Sequence, residues 1–353
     1  MQLKLSTSST GPGADRLKEL PKVLLHDHLD GGLRPETIIQ IADEIGYQDL
    51  PTKSTQELAD WFKASCDSGS LNRYLETFDH TIAVMQREKD LVQVAKECVI
   101  DLANDGVIYA EVRVAPEHFT KDGLKLEEVI EAMLEGYRLG QVESGLKVNA
   151  ILCGMRNLNR SHEIAKLSVH YRDNGVVAFD IAGPEVGFPP TLQLETFQYL
   201  MQAEMPFTIH AGEAMGPEYV DLAINQCGAK RIGHGVRIAE DLPDGRIAKE
   251  VLERQIHLEI CPTSNLQTGV ADTYSSHPVQ KLFDLGFNLS LNTDNRLMSG
   301  TSLSHEFQEC ANAFGWGLAE FKEITLCAMN SAFIEDKSSY LKKIGESYDQ
   351  FQR

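Results

Sequence analysis

The sequence contains no pair of cysteines in C-x-x-C spacing, although it has seven cysteines in 353 residues. A cysteine-based zinc site is therefore not indicated, because such sites draw their ligands from closely spaced pairs. Most of the cysteines lie in apolar stretches, as Cys153 and Cys261 do, which is typical of buried free thiols in a reducing compartment. We therefore expect a cytoplasmic protein.

Basic residues are also scarce. The chain has 33 Lys and Arg against 52 Asp and Glu, which gives a formal net charge of −19. A surface this negative repels phosphate backbones and anionic lipids, so we expect neither nucleic acid nor membrane as a partner. No apolar run reaches the length of a membrane span, and residues 1–13 predict a disordered tail rather than a signal peptide. The sequence does not indicate an oligomeric state.

Eight short apolar or β-branched runs predict strands that are buried on both faces. They alternate with amphipathic helical stretches, and from the second strand onward they begin roughly every 25–40 residues, which is βα-unit spacing. This order predicts a TIM (β/α)8 barrel in one domain, residues 14–353, with a doubly wound open sheet as the alternative. The predicted strands are Lys22–His26, Val107–Ala115, Lys147–Met155, Val176–Ala182, Phe207–His210, Arg231–His234, Ile256–Cys261 and Phe287–Asn292.

One long interval separates the first two predicted strands. It contains helical stretches at Thr55–Ala64, Asn72–Met85 and Leu91–Asn104, which predict a helical insertion over about residues 33–105. Insertions at this position lie at the catalytic mouth of a barrel, so Trp61 and Phe62 are candidates for an apolar lid. Helices that only pad the barrel wall are the alternative.

The first predicted strand runs into His26-Asp27-His28. Residues two apart on a strand face the same side, so both imidazoles can point to one site and begin a metal centre. Asp27 faces the other side, where it either supports the site or pairs with a Lys or Arg behind the strand.

Further polar side chains follow the later strands. Strand 5 ends with His210, three residues before Glu213, while strands 6 and 8 end with His234 and Asp294. Catalytic groups of this fold come from the carboxyl ends of the strands, so these side chains share one rim. Three His and one Asp without a thiolate suit Zn²⁺, although ligand type alone also allows Fe²⁺, Co²⁺ or Mn²⁺. The other His residues, at 80, 118, 162, 170, 257, 277 and 305, are predicted to be structural or solvated.

Together these segments resemble the adenosine deaminase family of metal-dependent hydrolases, over roughly residues 20–335. The sequence is most similar to the bacterial, actinobacterial-like branch, which carries the His-Asp-His-Leu-Asp-Gly-Gly and Asn-Thr-Asp-Asn-Arg versions of two motifs. The blocks that carry the resemblance are Pro21–Gly31, Asp180–Gly183, His210–Glu213, Gly233–Gly235, Leu258–Asn265 and Ser290–Asp294.

The resemblance implies a role for each candidate residue. One zinc ion would be bound by a set of four ligands: His26, His28, His210 and Asp294. Zinc hydroxide would attack purine C6 while Glu213 protonates N1, with His234 orienting the hydroxide and Asp294 accepting its proton. The predicted substrate contacts are His28, Asp30 with the ribose 5′-hydroxyl, and the Gly183 N–H with purine N3.

The implied reaction is hydrolytic deamination of adenosine, or 2′-deoxyadenosine, to inosine or 2′-deoxyinosine and ammonia in purine salvage. Adenine, AMP and aminofutalosine-type derivatives are alternative substrates. Asp30 would repel a 5′-phosphate. Arg34, Arg156 and Arg296 near the mouth could bind an anionic substrate, so that alternative stays open. A catalytically silent binding relative is a further alternative. A two-metal lactonase or dihydroorotase is disfavoured, because no Lys ends strand 4.

The sequence departs from the commonest family form directly after Asp294. Asn295 and Arg296 stand where that form has Asp and Pro. The second Asp normally contacts purine N7, and an Asn amide can also donate a hydrogen bond to a ring nitrogen. We therefore predict that Asn295 contacts N7.

Overall fold

The computed structural model describes residues 14–352, so the tail predicted at 1–13 lies outside the described residues. Parallel strands form two sheets, in the orders β1-β2-β3-β4 and β5-β6-β7-β8. Their bounds differ from the predicted ones by no more than two residues at either end. The strands are β1 (Lys22–His28), β2 (Val107–Val114), β3 (Lys147–Met155), β4 (Val176–Ala182), β5 (Ile209–Ala211), β6 (Arg231–His234), β7 (His257–Ile260) and β8 (Leu289–Leu291).

Two seams join the sheets into a closed barrel. At one seam, Phe179 of β4 pairs in parallel with Phe207, just before β5. At the other, the His28 N–H donates to the Asp294 carbonyl at 2.7 Å, and the Asp294 N–H donates to the His26 carbonyl at 3.0 Å. The predicted TIM (β/α)8 barrel is confirmed, and an open sheet is excluded.

Helices cover the outside of this barrel. No helix among residues 14–352 combines the length and apolarity needed to cross a membrane. The helices are α1 (Ala14–Glu19), α2 (Pro35–Ile45), α3 (Thr55–Cys66), α4 (Leu71–Glu76), α5 (Phe78–Val84), α6 (Glu88–Asn104), α7 (Leu126–Ser144), α8 (Ser161–His170), α9 (Leu194–Gln202), α10 (Pro217–Asp221), α11 (Arg246–Glu253), α12 (Pro262–Gln267), α13 (Val279–Asp284), α14 (Arg296–Ser299), α15 (Leu303–Phe314), α16 (Leu318–Ser331) and α17 (Ser338–Phe351).

Helices α2 to α6 lie between β1 and β2, which confirms the helical insertion after the first strand. Pro35 begins α2 at a position where its missing N–H costs nothing, and Gly46 ends the helix with φ 73°. The single helix predicted at 72–85 is instead two helices, because α4 ends at Glu76 and the hydroxyl of the next residue, Thr77, donates to the Tyr74 carbonyl at 2.7 Å.

Charged side chains fill the barrel interior near the amino-terminal ends of its strands. Arg231, the first residue of β6, lies 2.6 Å from Glu111 Oε2 and also donates to Glu259. Its guanidinium carbon lies 3.8 Å from the ring centre of Phe333. All three charged side chains are buried, so each depends on its partners to offset lost hydration.

Replacing Arg231 with Met should destabilise the fold strongly, because Glu111 then stays buried without its cation. We expect the free energy of unfolding to fall by about 3–5 kcal/mol, measured by urea denaturation. Arg254→Met is the matched control, since Arg254 pairs with Glu250 at the surface at 2.8 Å and should contribute little. Equal losses in the two variants would contradict this account of the interior.

Candidate metal centre and active site

Five side chains converge at the carboxyl ends of β1, β5, β6 and β8. One ligand atom from each of His26, His210, His234 and Asp294 lies within 4.8 Å of the others. His28 Nε2 lies 3.3 Å from His210 Nε2 and 3.5 Å from Asp294 Oδ1. The structure thus brings all four sequence-predicted ligands together, with His234 beside them.

This cluster fits a single cation. His26 Nε2 is buried without a hydrogen-bond partner and lies 3.2 Å from Asp294 Oδ1. Burial lowers the pKa of His28 and of His210, which favours the neutral imidazole that binds metals. Imidazole nitrogens and a carboxylate oxygen, with no thiolate, are ligands that zinc accepts.

Buried carboxylates orient two of these imidazoles. His26 Nδ1 lies 2.8 Å from Glu259 Oε2, and His210 Nδ1 lies 2.8 Å from Asp180 Oδ2. An ionised carboxylate only accepts hydrogen bonds, so Nδ1 carries the proton in both rings. The lone pair of each ring is therefore on Nε2, the atom that faces the cluster, as in many metal sites.

Arg113 connects the two orienting carboxylates. Its guanidinium lies 2.8 Å from Asp180 Oδ2 and 2.6 Å from Glu259 Oε2, and it also donates to the Leu25 carbonyl at 2.7 Å. Burial by itself raises the pKa of Glu259, but Arg113 and Arg231 hold that pKa well below its usual range. Both carboxylates can thus remain acceptors inside the barrel.

His234 presents a proton rather than a lone pair to the cluster. The Val279 N–H donates to His277 Nδ1 at 3.1 Å, so the proton of His277 is on Nε2, which lies 3.3 Å from Asn265 Oδ1. This contact orients Asn265, whose Nδ2 donates to His234 Nδ1 at 3.2 Å. In the neutral His234 ring the proton is then on Nε2.

The backbone is in the left-handed region at two of the site residues. His234 has φ 60° and Asp294 has φ 58°, values that non-glycine residues rarely adopt. Such a conformation costs of order 1–3 kcal/mol and persists where neighbours hold it. Asp294 is held by its two backbone hydrogen bonds to β1 and by Ser264 Oγ, which donates to Asp294 Oδ2 at 2.7 Å.

Glu213 is positioned to supply a proton. Its Oε2 lies 3.6 Å from His234 Nε2, and its Oε1 is buried without a hydrogen-bond partner. Burial raises the pKa of the Glu213 carboxyl well above its usual range, and the carboxylates of Asp294 and Glu185 raise it further. This shift favours the protonated carboxyl, which is the form that a general acid requires.

A cavity of about 420 Å³ opens above these groups. The insertion helices α4 and α5 supply its apolar wall, which consists of Leu71, Tyr74, Leu75, Phe78 and Ile82. Trp61 and Phe62 do not line it, so the prediction of a lid formed by this pair is wrong. Phe62 is fully buried, and Trp61 packs on it with ring centres 5.1 Å apart.

The predicted substrate-binding residues also line this cavity. Asp30 and Asn295 each have a buried Oδ1 without a hydrogen-bond partner. Burial raises the pKa of Asp30 to about 7. Gly183 has φ 97°, and a Cβ there would lie 2.9 Å from Met155 Cε, so this position requires glycine.

The three arginines expected near the mouth are engaged elsewhere. Arg34 pairs with Asp101 at 2.6 Å, and Arg156 donates to the His210 carbonyl at 2.5 Å. Arg296 pairs with Asp27 at 2.9 Å behind β1, which decides between the two interpretations of Asp27. No lysine or arginine lies among the described residues that line the cavity.

Sequence reasoning missed several residues of the site. His118, which the sequence predicts to be structural or solvated, also lines the cavity. The partners Arg113, Asn265 and His277 were missed because their contacts join distant segments. Glu185 was missed too, although it stands two residues after Gly183 and could have been noticed there.

Comparisons with known proteins agree with this geometry. The family model described as adenosine deaminase matches residues 21–346. The chain is 52% identical over 339 residues to adenosine deaminase 1 of Streptomyces coelicolor, covering 92% of this chain and 86% of that protein. It is 47% identical over 336 residues to the adenosine deaminase of Mycobacterium marinum, covering 92% and 93% of the two chains.

Solved structures share the fold. Adenine deaminase from Arthrobacter aurescens superposes with a TM-score of 0.86 at 23% identity, covering 94% of this chain and 99% of that one. A Burkholderia ambifaria amidohydrolase with bound zinc superposes with a TM-score of 0.85 at 24% identity, covering 98% and 96%. At these identities the likeness shows the barrel fold alone.

Proposed function

Because the chain belongs to the adenosine deaminase family, we propose that it catalyses the zinc-dependent hydrolysis of adenosine and 2′-deoxyadenosine to inosine or 2′-deoxyinosine and ammonia. The observation that carries the proposal is that a cluster of imidazoles with Asp294 shares one cavity with Glu213, whose pKa burial raises well above its usual range. Purine salvage in the cytoplasm is the role we assign to it.

The zinc ligands in this proposal are His26, His28, His210 and Asp294. His26 and His210 direct Nε2 lone pairs at the cluster, because their Nδ1–H groups donate hydrogen bonds to Glu259 and Asp180. By distance alone, His234 could replace His28 as the third imidazole ligand. Its Nε2 carries a proton, however, and cannot bind a metal in that form. When bound, zinc lowers the pKa of a coordinated water to about 7 and so supplies the nucleophile.

The protein side chains divide the proton transfers between them. Asp294 accepts a proton from the attacking water, because hydrogen bonding to His26 and the nearby imidazoles keep its pKa low despite burial. The His234 Nε2–H stabilises negative charge as the water oxygen adds to purine C6. Glu213 donates its proton to N1, so the ring can accept the addition. The proton held by Asp294 then passes to the amino group, the C6–N bond breaks and ammonia leaves. The C6 hydroxyl proton returns to the Glu213 carboxylate, which leaves the 6-oxo purine.

The cavity lining favours a neutral nucleoside. In the proposed pose, Asp30 accepts from the ribose 5′-hydroxyl, the Gly183 N–H donates to N3, and Asn295 donates to N7. His28 lies beside Asp30 on the ribose side. A 5′-phosphate would meet Asp30 without a facing lysine or arginine, so we assign AMP a minor role at most. The cavity volume of about 420 Å³ suits a ligand of nucleoside size.

A substrate panel tests the proposed function. Zinc-loaded protein is mixed with adenosine, 2′-deoxyadenosine, adenine, AMP and aminofutalosine, and released ammonia is measured alongside the purine absorbance. We expect the two nucleosides to have the highest kcat/KM. The Glu213→Gln variant is the control, and loss of the general acid should lower kcat by about 10²–10⁴-fold. Faster turnover of adenine, AMP or aminofutalosine would contradict the substrate assignment, and no turnover of any member would overturn the function.

Asn295→Ala tests the contact with N7. Asn295 packs against the turn that follows β1, since a Cβ on Gly31 would lie 1.9 Å from its Oδ1, and it also lines the cavity. We expect kcat/KM for adenosine to fall about 3- to 10-fold, the effect of one neutral hydrogen bond. 7-Deazaadenosine has no N7 and should be turned over equally by both proteins. A similar loss for both substrates would rule out the contact.

A further inference from the structure

The turn that carries Glu213 is bound by a second, buried glutamate. Glu185 lies in the loop after β4, with only 3% of its surface exposed. Its Oε1 accepts from the Gly212 N–H at 2.6 Å. Its Oε2 accepts from the N–H groups of Glu213, Ala214 and Met215 at 3.2, 2.6 and 2.7 Å. One carboxylate thus accepts hydrogen bonds from four consecutive backbone N–H groups. A turn by itself would leave most of these buried donors without an acceptor.

The other side of the same turn is held as well. Arg237 Nε donates to the Glu213 carbonyl at 2.6 Å, and the Arg237 N–H donates to the Gly212 carbonyl at 3.0 Å. The Glu213 carboxyl itself has an Oε1 without a hydrogen-bond partner. The backbone from which the carboxyl extends therefore contributes to its direction, together with the contacts of its tip with Thr268 and His234.

We propose that Glu185 is a positioning residue for the deamination proposed above, holding the Gly212–Met215 backbone so that the Glu213 carboxyl points at purine N1. The inference rests on that proposed function. General acid catalysis needs the donor within hydrogen-bond reach of the atom that it protonates, so a small rotation of this turn costs rate. An amide in place of the carboxylate would present N–H groups to backbone N–H groups and open the turn.

Glu185→Gln is the principal test. We expect kcat for adenosine to fall roughly 10- to 100-fold, which is less than the fall expected when the general acid is lost completely. The Kd of 1-deazaadenosine, which has no N1 to protonate, should change less than about threefold, because ground-state binding does not use Glu213. In a Glu213→Gln background, Glu185→Gln should lower kcat by no more than about threefold, because the effects of residues that act as a unit are not additive.

Two further variants serve as controls. Asp105→Asn removes another buried carboxylate that accepts a backbone N–H, from Ser304 at 2.9 Å, at a place outside the cavity. It should lower stability without lowering kcat. Glu185→Asp keeps the charge but shortens the side chain, so we expect a kcat between those of the wild type and Glu185→Gln. This variant also tests the proposal if Glu185→Gln does not fold.

Hydrogen exchange of the Gly212–Met215 amides tests the clamp without any turnover. We expect slow exchange in the wild type and faster exchange in Glu185→Gln, with other barrel amides unchanged. An unchanged kcat, equal losses with and without Glu213, or unchanged exchange of these amides would each overturn the inference. If the wild type released no ammonia from adenosine, the proposed function would fail, and the exchange result would still decide whether Glu185 holds the turn.

Discussion

Arg113 is the residue on which the geometry of the metal cluster most depends. Its planar guanidinium contacts Asp180 and Glu259 at once, and these carboxylates accept hydrogen bonds from the Nδ1–H groups of His210 and His26. One buried cation therefore keeps two carboxylates as acceptors and turns two imidazole lone pairs toward a common point. A lysine could not do this, because its single ammonium lacks the rigid fork that reaches two carboxylates.

The same environment separates two carboxyl groups by function. The imidazoles around Asp294 lower the pKa of its carboxyl, whereas burial and the neighbouring carboxylates raise the pKa of Glu213. Carboxyl groups whose pKa values are pushed apart in one site divide the work of base and acid. The left-handed backbone at His234 and Asp294 belongs to this arrangement, because it directs both side chains into the cavity from strand ends.

The strands, and the convergence of the candidate ligands at one rim, could be predicted from the sequence because both depend on local pattern. His26 and His210 follow apolar runs, and the carboxyl ends of barrel strands meet at one rim. The contacts that orient them could not be predicted, since Arg113 and Glu259 are 146 residues apart. The prediction that Trp61 and Phe62 form a lid failed for a similar reason, because the local sequence does not show which neighbour an aromatic residue on a helix packs against.

Buried carboxylates direct the Nε2 lone pairs of His26 and His210 at one cation, beside His28 and Asp294, and Asn265 leaves His234 as a donor. Anomalous diffraction at the zinc edge from zinc-loaded crystals measures this directly. We predict one zinc ion per chain, bound by Nε2 of His26, His28 and His210 and by an oxygen of Asp294, at about 2.0–2.2 Å. A zinc ion bound by His234 in place of His28, or located away from this cluster, would contradict it.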